Sequence, residues 1–550
     1  MQKLSGGHIV VKVLEAEGVK KAFCVPGESY LGVIDGLYNH PTIQLISTRH
    51  EGGASFMAES YAKATGDVGV CMATRGPGAT NLSIGLHTAM QDSTPLVALI
   101  GQVERPFIGR EAFQEVDFEA YFSHLCKWAV EIDDVERIPE ILHQAFYKAR
   151  SGRPGPVVVS LPHDMLEDFT IYEGSKPISF RKPVADVRTV QHVINEINQA
   201  ERPFVIAGGG VIHANAEREL EMFAEKLSIP VASAFRRFNV LSNHHKNYAG
   251  WLGFGLNNKL VEAIQNSDLI IALGTRLSQI TTQDYTVLGK KPRIIQIDIS
   301  ESTIGKAYGV ELGVVSDIKA FLQTALSVIK KESDNKEREQ IVKQLNDLYI
   351  KHSTPPECKV DTKFAEMNSI MKDIMVSVPE NSVITSDAGN FYGWLARYFR
   401  FTNSKRYIGP TSGAMGYGLP SALGVKAALP DHTVISFSGD GGFMMTIQEL
   451  ETAVRENLNV ISIVVNNNMY GTIRAHQENH FPGRVIATPL TNPRFSEVAK
   501  LYGCNGATVY KNEDFLPVFY EALHSNKPYV IEILTDPNIL SANQAAAETM

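Results

Sequence analysis

Short, unbroken apolar runs recur along the whole chain, each parted from the next by a stretch long enough for a helix. Examples are Lys21–Val25 (KAFCV), Val68–Ala73 (VGVCMA), Pro156–Ser160 (PVVVS) and Phe204–Ala207 (FVIA). Asp268–Leu273 (DLIIAL), Arg293–Ile297 (RIIQI), Thr433–Ser438 (TVISFS) and Val460–Val465 (VISIVV) continue the series. Because apolar and polar residues do not alternate, both faces of most of these strands must be covered. That is the pattern of parallel strands joined through helices. The expected fold class is α/β, with doubly wound parallel sheets. A chain of 550 residues exceeds what one such core holds. Two irregular stretches divide it: Glu167–Val187, which mixes Pro, Gly and charge, and the charge run Lys330–Glu339 followed by Lys351–Asp361 (KHSTPPECKVD). This charge run is expected to be a solvated helix end beside a linker. Three domains are therefore expected, at 1–170, 188–340 and 360–550.

Composition excludes several classes of function. With 60 acidic and 52 basic residues the net charge is −8, and there is no Lys/Arg stripe for nucleic acid. No apolar run approaches the ~18 residues that span a bilayer, so no membrane partner is expected. Glu15 and Glu17 interrupt the apolar residues Ile9, Val10, Val13 and Leu14, which suits an amphipathic helix and not a secretory signal. A cytoplasmic protein is expected. The five cysteines are scattered and none forms a C-x-x-C pair, so neither a disulfide framework nor a zinc site is indicated.

The chemistry-bearing pattern lies late in the chain. The run Val434–Ser438 leads into Gly439-Asp440-Gly441-Gly442, and a second run ends in Asn466-Asn467-Asn468. Glycines at a strand end let backbone N–H groups approach a diphosphate, and a following helix adds favourable field. Asp440 and Asn467 offer hard oxygen ligands of the kind Mg²⁺ or Ca²⁺ takes, from the ends of two strands. The two halves together form G-D-G-x24-N-N.

This pattern resembles the thiamine diphosphate signature, and the chain resembles the acetolactate synthase branch of thiamine diphosphate enzymes through all three segments. The resemblance implies pyrimidine-binding, central and diphosphate-binding domains in that order. It also implies that Asp440, Asn467 and the Met469 carbonyl hold Mg²⁺, with Gly439, Gly441, Gly442 and Tyr470 around the cofactor. Asp387-Ala388-Gly389-Asn390 resembles the family's other diphosphate loop, and Gly413-Ala414-Met415-Gly416 the turn that supports the cofactor's bent shape. In Arg49-His50-Glu51, the resemblance puts Glu51 beside N1′ of the aminopyrimidine as the proton-exchanging acid. No role follows for His50 beyond a structural one.

Arg75-Gly76-Pro77-Gly78-Ala79-Thr80-Asn81 resembles the G-P-G-x-T-N turn beneath the cofactor. Ala112-Phe113-Gln114-Glu115 matches the A-F-Q-E run in which Phe113 and Gln114 would line the active centre. Lys127 falls where that branch carries a Lys, and a surface salt bridge is an equal alternative. Gly208-Gly209-Gly210 follows a strand, but the dinucleotide pattern G-x-G-x-x-G fails at His213. FAD-binding members carry R-F-D-D-R; here Arg276-Leu277-Ser278-Gln279-Ile280 keeps only the first Arg, which weighs against FAD. The substrate end departs from the branch. Gly27-Glu28-Ser29 replaces Gly-Gly-Ala, and His476 stands where the branch has Trp. The implied activity is decarboxylation of a pyruvate-like 2-oxo acid with carboligation to a second carbonyl, in a homodimer or homotetramer with sites between subunits. The same cofactor would also serve a simple decarboxylase, or a lyase or hydrolase of an acyloin or diketone. A nucleotide-linked oxidoreductase and a non-catalytic paralogue are the readings from other classes.

Overall fold

The computed structural model describes residues 2–289, 293–330, 333–357 and 363–544. The first part of the chain holds β1 (Gln2–Ser5), β2 (Lys21–Cys24), β3 (Gln44–Ser47), β4 (Gly69–Thr74), β5 (Leu96–Gln102), β6 (Trp128–Glu131), β7 (Pro156–Pro162) and β8 (Phe169–Tyr172). The middle holds β9 (Pro203–Ala207), β10 (Val231–Ser233), β11 (Tyr248–Trp251), β12 (Leu269–Leu273), β13 (Ile294–Asp298) and β14 (Leu312–Val315). The last part holds β15 (Ser382–Ser386), β16 (Arg406–Ile408), β17 (Thr433–Gly439), β18 (Ile461–Asn466), β19 (Asn505–Val509) and β20 (Tyr529–Leu534).

These strands build three six-stranded sheets, ordered β3-β2-β4-β5-β7-β6, β11-β10-β9-β12-β13-β14 and β16-β15-β17-β18-β20-β19. Every pairing within them is parallel. The α/β class is as expected: β5 and β7 are buried along their full length, which is why their sequences are unbroken apolar runs. The first and third sheets share one winding, while the middle one has the order of a dinucleotide-binding fold. The helix Gly6–Ala16 buries Ile9, Val10, Val13 and Leu14 as their spacing predicts, with Ser5 as its cap. Among the described residues no helix is long and apolar enough to cross a membrane. Cys24, Cys71, Cys126 and Cys504 are free and buried, and Cys358 lies outside the described residues.

Two stretches expected as irregular are partly regular. Phe169–Tyr172, inside the first, is strand β8 and pairs antiparallel with β1. Its residues alternate between exposed and half-buried, so it lacks the continuous apolar signal of the sheet strands. In the second, Asn335 caps the helix Lys336–His352 through Glu337 N and Arg338 N. The charge run therefore straddles a helix start. Its residues 331–332, and 358–361 of the following stretch, lie outside the described residues, as does the expected boundary at 360.

The first and third parts pack closely within one chain. A Cβ added to Gly424, on the helix Gly418–Ala428, would lie 2.2 Å from Met57 O on the helix Glu51–Thr65. All three parts meet at Asp92, whose carboxylate pairs with Lys63 at 2.7 Å and Arg237 at 2.7 Å. It also accepts from Thr411 N at 3.1 Å.

Candidate active site

In the third sheet β15 and β17 are neighbours while β16 lies outside them, so the chain winds away from their carboxyl ends in opposite directions. Such a switch point opens a crevice. Asp387–Asn390 leaves β15 there, and Gly439 ends β17 directly before the short helix Asp440–Met445. A cavity of about 280 Å³ is lined by Asn390, Gly439, Asp440 and Asn467, with Phe391, Trp394 and Asp536 among the other walls. The glycines are required by packing. A Cβ on Gly441 would fall 2.6 Å from the Tyr470 ring, and one on Gly442 2.5 Å from Asp387 Oδ2. Gly389 and Gly439 both lie against Phe391, at 2.5 and 2.9 Å by the same measure.

Asp440 is buried, and burial pushes its carboxyl up to about 6 despite a 2.7 Å hydrogen bond from Asn492 Nδ2. The backbone N–H groups of Gly441 and Met469 also face it. Asn467, also buried, shares the cavity. Among the described residues no cluster of three or more His, Cys, Asp or Glu could hold a metal. A cation here would rest on one carboxylate, one amide and backbone oxygen, a donor set that suits Mg²⁺. Asp387 is buried beside it. Burial raises it to about 6, against hydrogen bonding from Gly418 N, which donates to Oδ1 at 2.5 Å, and from the Ser438 side chain.

Glu51 opens the helix Glu51–Thr65 in the first part. His50 is its cap, with Nδ1 accepting from Gly52 N at 2.9 Å, which gives that histidine its structural role. Glu51 Oε2 accepts from Asn81 Nδ2 at 3.0 Å, and a Cβ on Gly78 would stand 3.3 Å from Oε1. The start of the helix Arg75–Asp92 thus faces Glu51. Gly76 N, on the same turn, donates to Gln114 O at 2.9 Å. Gln114 sits at φ +67°, and the Phe113 side chain beside it is 74% exposed.

The remaining candidates are dispersed. Gly413 and Gly416 have φ of +73° and +76°, with half-buried Met415 between them. Gly27-Glu28-Ser29 packs on the end of β4, where Ser29 Oγ and Thr74 Oγ1 are 2.7 Å apart. His476 is exposed on the helix Gly471–His480, and no hydrogen bond or ion pair among the described residues joins it to Glu28 or Ser29. Lys127 forms no salt bridge among the described residues. It donates to Ser151 O at 2.7 Å and to Lys148 O, at the end of the helix Ile138–Arg150. Gly208 and Gly210 are used for close packing, their Cβ positions 2.4 and 2.6 Å from Gly274 atoms. Arg276 donates to Gln91 O.

Four residues around these sites carry no sequence signal strong enough to single them out: Asn81, Asn492, Arg236 and Glu449. Arg236 comes from the middle part at φ +58° and donates to Asp387 O at 2.9 Å and Tyr407 Oη at 3.0 Å. Glu449, fully buried, accepts from Arg49 N at 3.2 Å and from Thr452 Oγ1 at 2.7 Å, so the third part steadies the turn that carries Glu51.

Burial raises Glu449 from its ordinary 4.5 to about 7, against those hydrogen bonds. A carboxyl raised in the folded state contributes its full stability below its unfolded value and loses it as pH rises through the folded value. Stability should therefore fall as pH climbs from about 4.5 past 7. Glu449→Gln, which keeps an acceptor, should flatten this slope and raise stability near pH 8 by up to about 3 kcal/mol. Thermal unfolding of both proteins across that range checks it; an unchanged slope in the variant places the dependence elsewhere.

Comparison with known proteins gives matches in all three parts. The model of the N-terminal TPP binding domain of thiamine pyrophosphate enzymes matches residues 4–121, the central domain 190–325 and the C-terminal TPP binding domain 387–533. The chain is 34% identical to a protein of Methanococcus aeolicus named "Probable acetolactate synthase large subunit", over 97% of this chain and 92% of that one. It is 32% identical to the acetolactate synthase isozyme 3 large subunit of Escherichia coli (strain K12), over 98% of this chain and 96% of that one. The isozyme 2 large subunit of the same organism is 33% identical, over 97% and 96%.

Proposed function

The chain belongs to the thiamine pyrophosphate enzymes and is acetolactate synthase-like, and from that premise we propose that it is a carboligase acting on a pyruvate-like 2-oxo acid with thiamine diphosphate and Mg²⁺. It would release CO₂ from the first acid and join the remaining fragment to a second carbonyl compound. The observation that carries this reading is the cavity at the third sheet's switch point, where buried Asp440 and Asn467 share one wall with Gly439 and Asn390.

When bound, thiamine diphosphate would supply a nucleophilic carbon in a cationic ring, and that ring would take up the electron pair left by CO₂. Asp440, Asn467 and the Met469 carbonyl would hold Mg²⁺ against the diphosphate. Gly389, Asn390, Gly441 and Gly442 open the backbone around it, and Met415 supports the rings. Glu51, with one oxygen held by Asn81, is the group we assign to exchange a proton with the pyrimidine. Phe113 and Gln114 would shape the space where the second carbonyl arrives. FAD is left out of this proposal. At the carboxyl edge of the middle sheet, Arg237 is engaged with Asp92, Arg236 with Asp387, and Gly208 and Gly210 with Gly274.

Within one chain, no described residue of the first part lines the cavity that contains Asp440. Phe113 on the first part, and Met444, Met445 and Ile473 on the third, are 74, 46, 49 and 52% exposed. Apolar side chains left open on both halves of a divided site support a homodimer or homotetramer that joins each Glu51 to the cavity of a neighbouring subunit.

Product analysis tests the reaction. With pyruvate alone plus thiamine diphosphate and Mg²⁺, acetolactate or another acyloin-type adduct should be the main product. Acetaldehyde as the main product, lost in His476→Ala, would instead support a decarboxylase with His476 as its proton donor.

A further inference from the structure

We propose that the first sheet carries a pocket, built on Arg75 and Arg110, for a second acidic group of the substrate, distant from its reacting carbonyl. This rests on the carboligase reading above and names its substrate class.

A cavity of about 400 Å³ opens at the carboxyl ends of β4 and β5, lined by Arg75, Arg110, Phe107, Phe113, Val103 and Glu104. Arg75 is the telling residue. Its side chain is 8% exposed, and among the described residues its only hydrogen-bond partner is Glu28, at 2.8 Å. Its Nε is buried and has no hydrogen-bond partner among the described residues. A guanidinium taken out of water needs paired acceptors, and a planar one is matched best by a carboxylate on two nitrogens. Its backbone stands at φ +30°, a strained value for a residue with a Cβ, of the kind that gathers at ligand sites.

The existing partner is poorly committed. Glu28 is 66% exposed, so it returns to water at little cost when another carboxylate takes its place. It reaches Arg75 across the gap between β2 and β4, the switch point of the first sheet, from a loop fastened to Thr74 through Ser29. Opposing charge on the cavity wall comes from Glu104, whose carboxylate lies 3.5 Å from His163 Nδ1. Once Glu28 has turned away, two guanidinium groups stand against one wall carboxylate, which favours an anion. Phe107 and Phe113 add an apolar surface that suits a short carbon chain between that anion and the carbonyl. The pocket adjoins the residues assigned to the pyrimidine end of the site, because the helix that starts at Arg75 presents Gly78 and Asn81 to Glu51 and Gly76 to Gln114.

Matched substrates test this on the holoenzyme. In the donor arm, CO₂ release from 2-oxoglutarate is compared with release from 2-oxopentanoate. In the acceptor arm, pyruvate is the donor and 4-oxobutanoate is compared with butanal. The acid of at least one pair should be preferred in kcat/KM by about tenfold or more, and the arm that shows it identifies whether donor or acceptor carries the group. Arg75→Met should cut that preference by about 10–100-fold, mainly through KM, with partial recovery in Arg75→Lys. Glu28→Gln should move it the opposite way, because the internal competitor is gone, and this variant leaves the buried arginine in place should Arg75→Met fail to fold. Pyruvate turnover with no acid preference in either arm, or Glu28→Gln weakening the preference, overturns the pocket alone. Absence of CO₂ release from every 2-oxo acid overturns the carboligase reading instead.

Discussion

Glu51→Gln will retain thiamine diphosphate and lose about 10²–10⁴ of kcat. The side chain stands at the start of its helix with one oxygen taken by Asn81, and the amide can occupy the same place with the same shape. What it cannot do is give up and recover a proton at that oxygen. Folding should be unaffected, since the cap of the helix is His50 and the turn is held from below by Glu449. Hydrogen–deuterium exchange at the cofactor's reactive carbon, followed by quenched-flow NMR, isolates the step. Exchange at the wild-type rate would remove Glu51 from its assigned role.

Asp440→Ala should weaken thiamine diphosphate binding by about 100-fold or more, because it deletes the only carboxylate of the expected cation site. Calorimetric titration with the cofactor at saturating Mg²⁺ reads this directly, and undiminished affinity would place the cation elsewhere. The two variants together also examine assembly. If each site joins Glu51 of one subunit to the cavity of another, a mixed dimer of Glu51→Gln and Asp440→Ala chains contains one intact site. Co-refolded in equal amounts, the pair should recover about a quarter of wild-type activity from two nearly inactive proteins. No recovery in a confirmed mixed dimer would mean that the site lies within one chain.

The strands were legible because burial on both faces writes itself into a sequence as unbroken apolar runs, as along β5 and β7. The glycines and Asp440 at the end of β17 were legible because a turn that brings backbone close to other atoms tolerates few residue types. Contacts made across long sequence separations leave no such trace. Glu449 and Arg49 are 400 residues apart, and Asn492 lies 52 residues beyond the carboxylate it holds. Neither belongs to a periodic or short motif. Arg75 and Glu28 were visible as letters within motifs, yet their pairing depends on β2 and β4 becoming neighbours. Lys127 shows the converse. Its position matched a lysine of the resembling branch, with a surface salt bridge as the alternative, while its ammonium is engaged by the carbonyls of Ser151 and Lys148.

The junction at Asp92 has a consequence for how the molecule comes apart. Lys63 and Glu59, 2.8 Å apart, bring to it one charge of each sign, and Asp92 and Arg237 bring another pair. The Tyr417 hydroxyl donates to Glu59 at 2.6 Å, so the third part of the chain is tied to the same knot as the first and the middle. The set is neutral only while the lobes stay docked. Withdrawing the middle lobe removes Arg237 and breaks its buried pair with Asp92, leaving Lys63 alone against two carboxylates, a penalty of several kcal/mol. Withdrawing the third removes hydrogen bonds from both carboxylates. Partial melting is therefore penalised wherever it begins, and three sheets that each resemble a free-standing domain are bound into one cooperative unit. Severing the chain at its linkers would split that knot: the first piece would keep Lys63, Glu59 and Asp92 with one negative charge in excess, the middle piece would keep Arg237 alone, and the third would withdraw the hydroxyls of Thr411 and Tyr417.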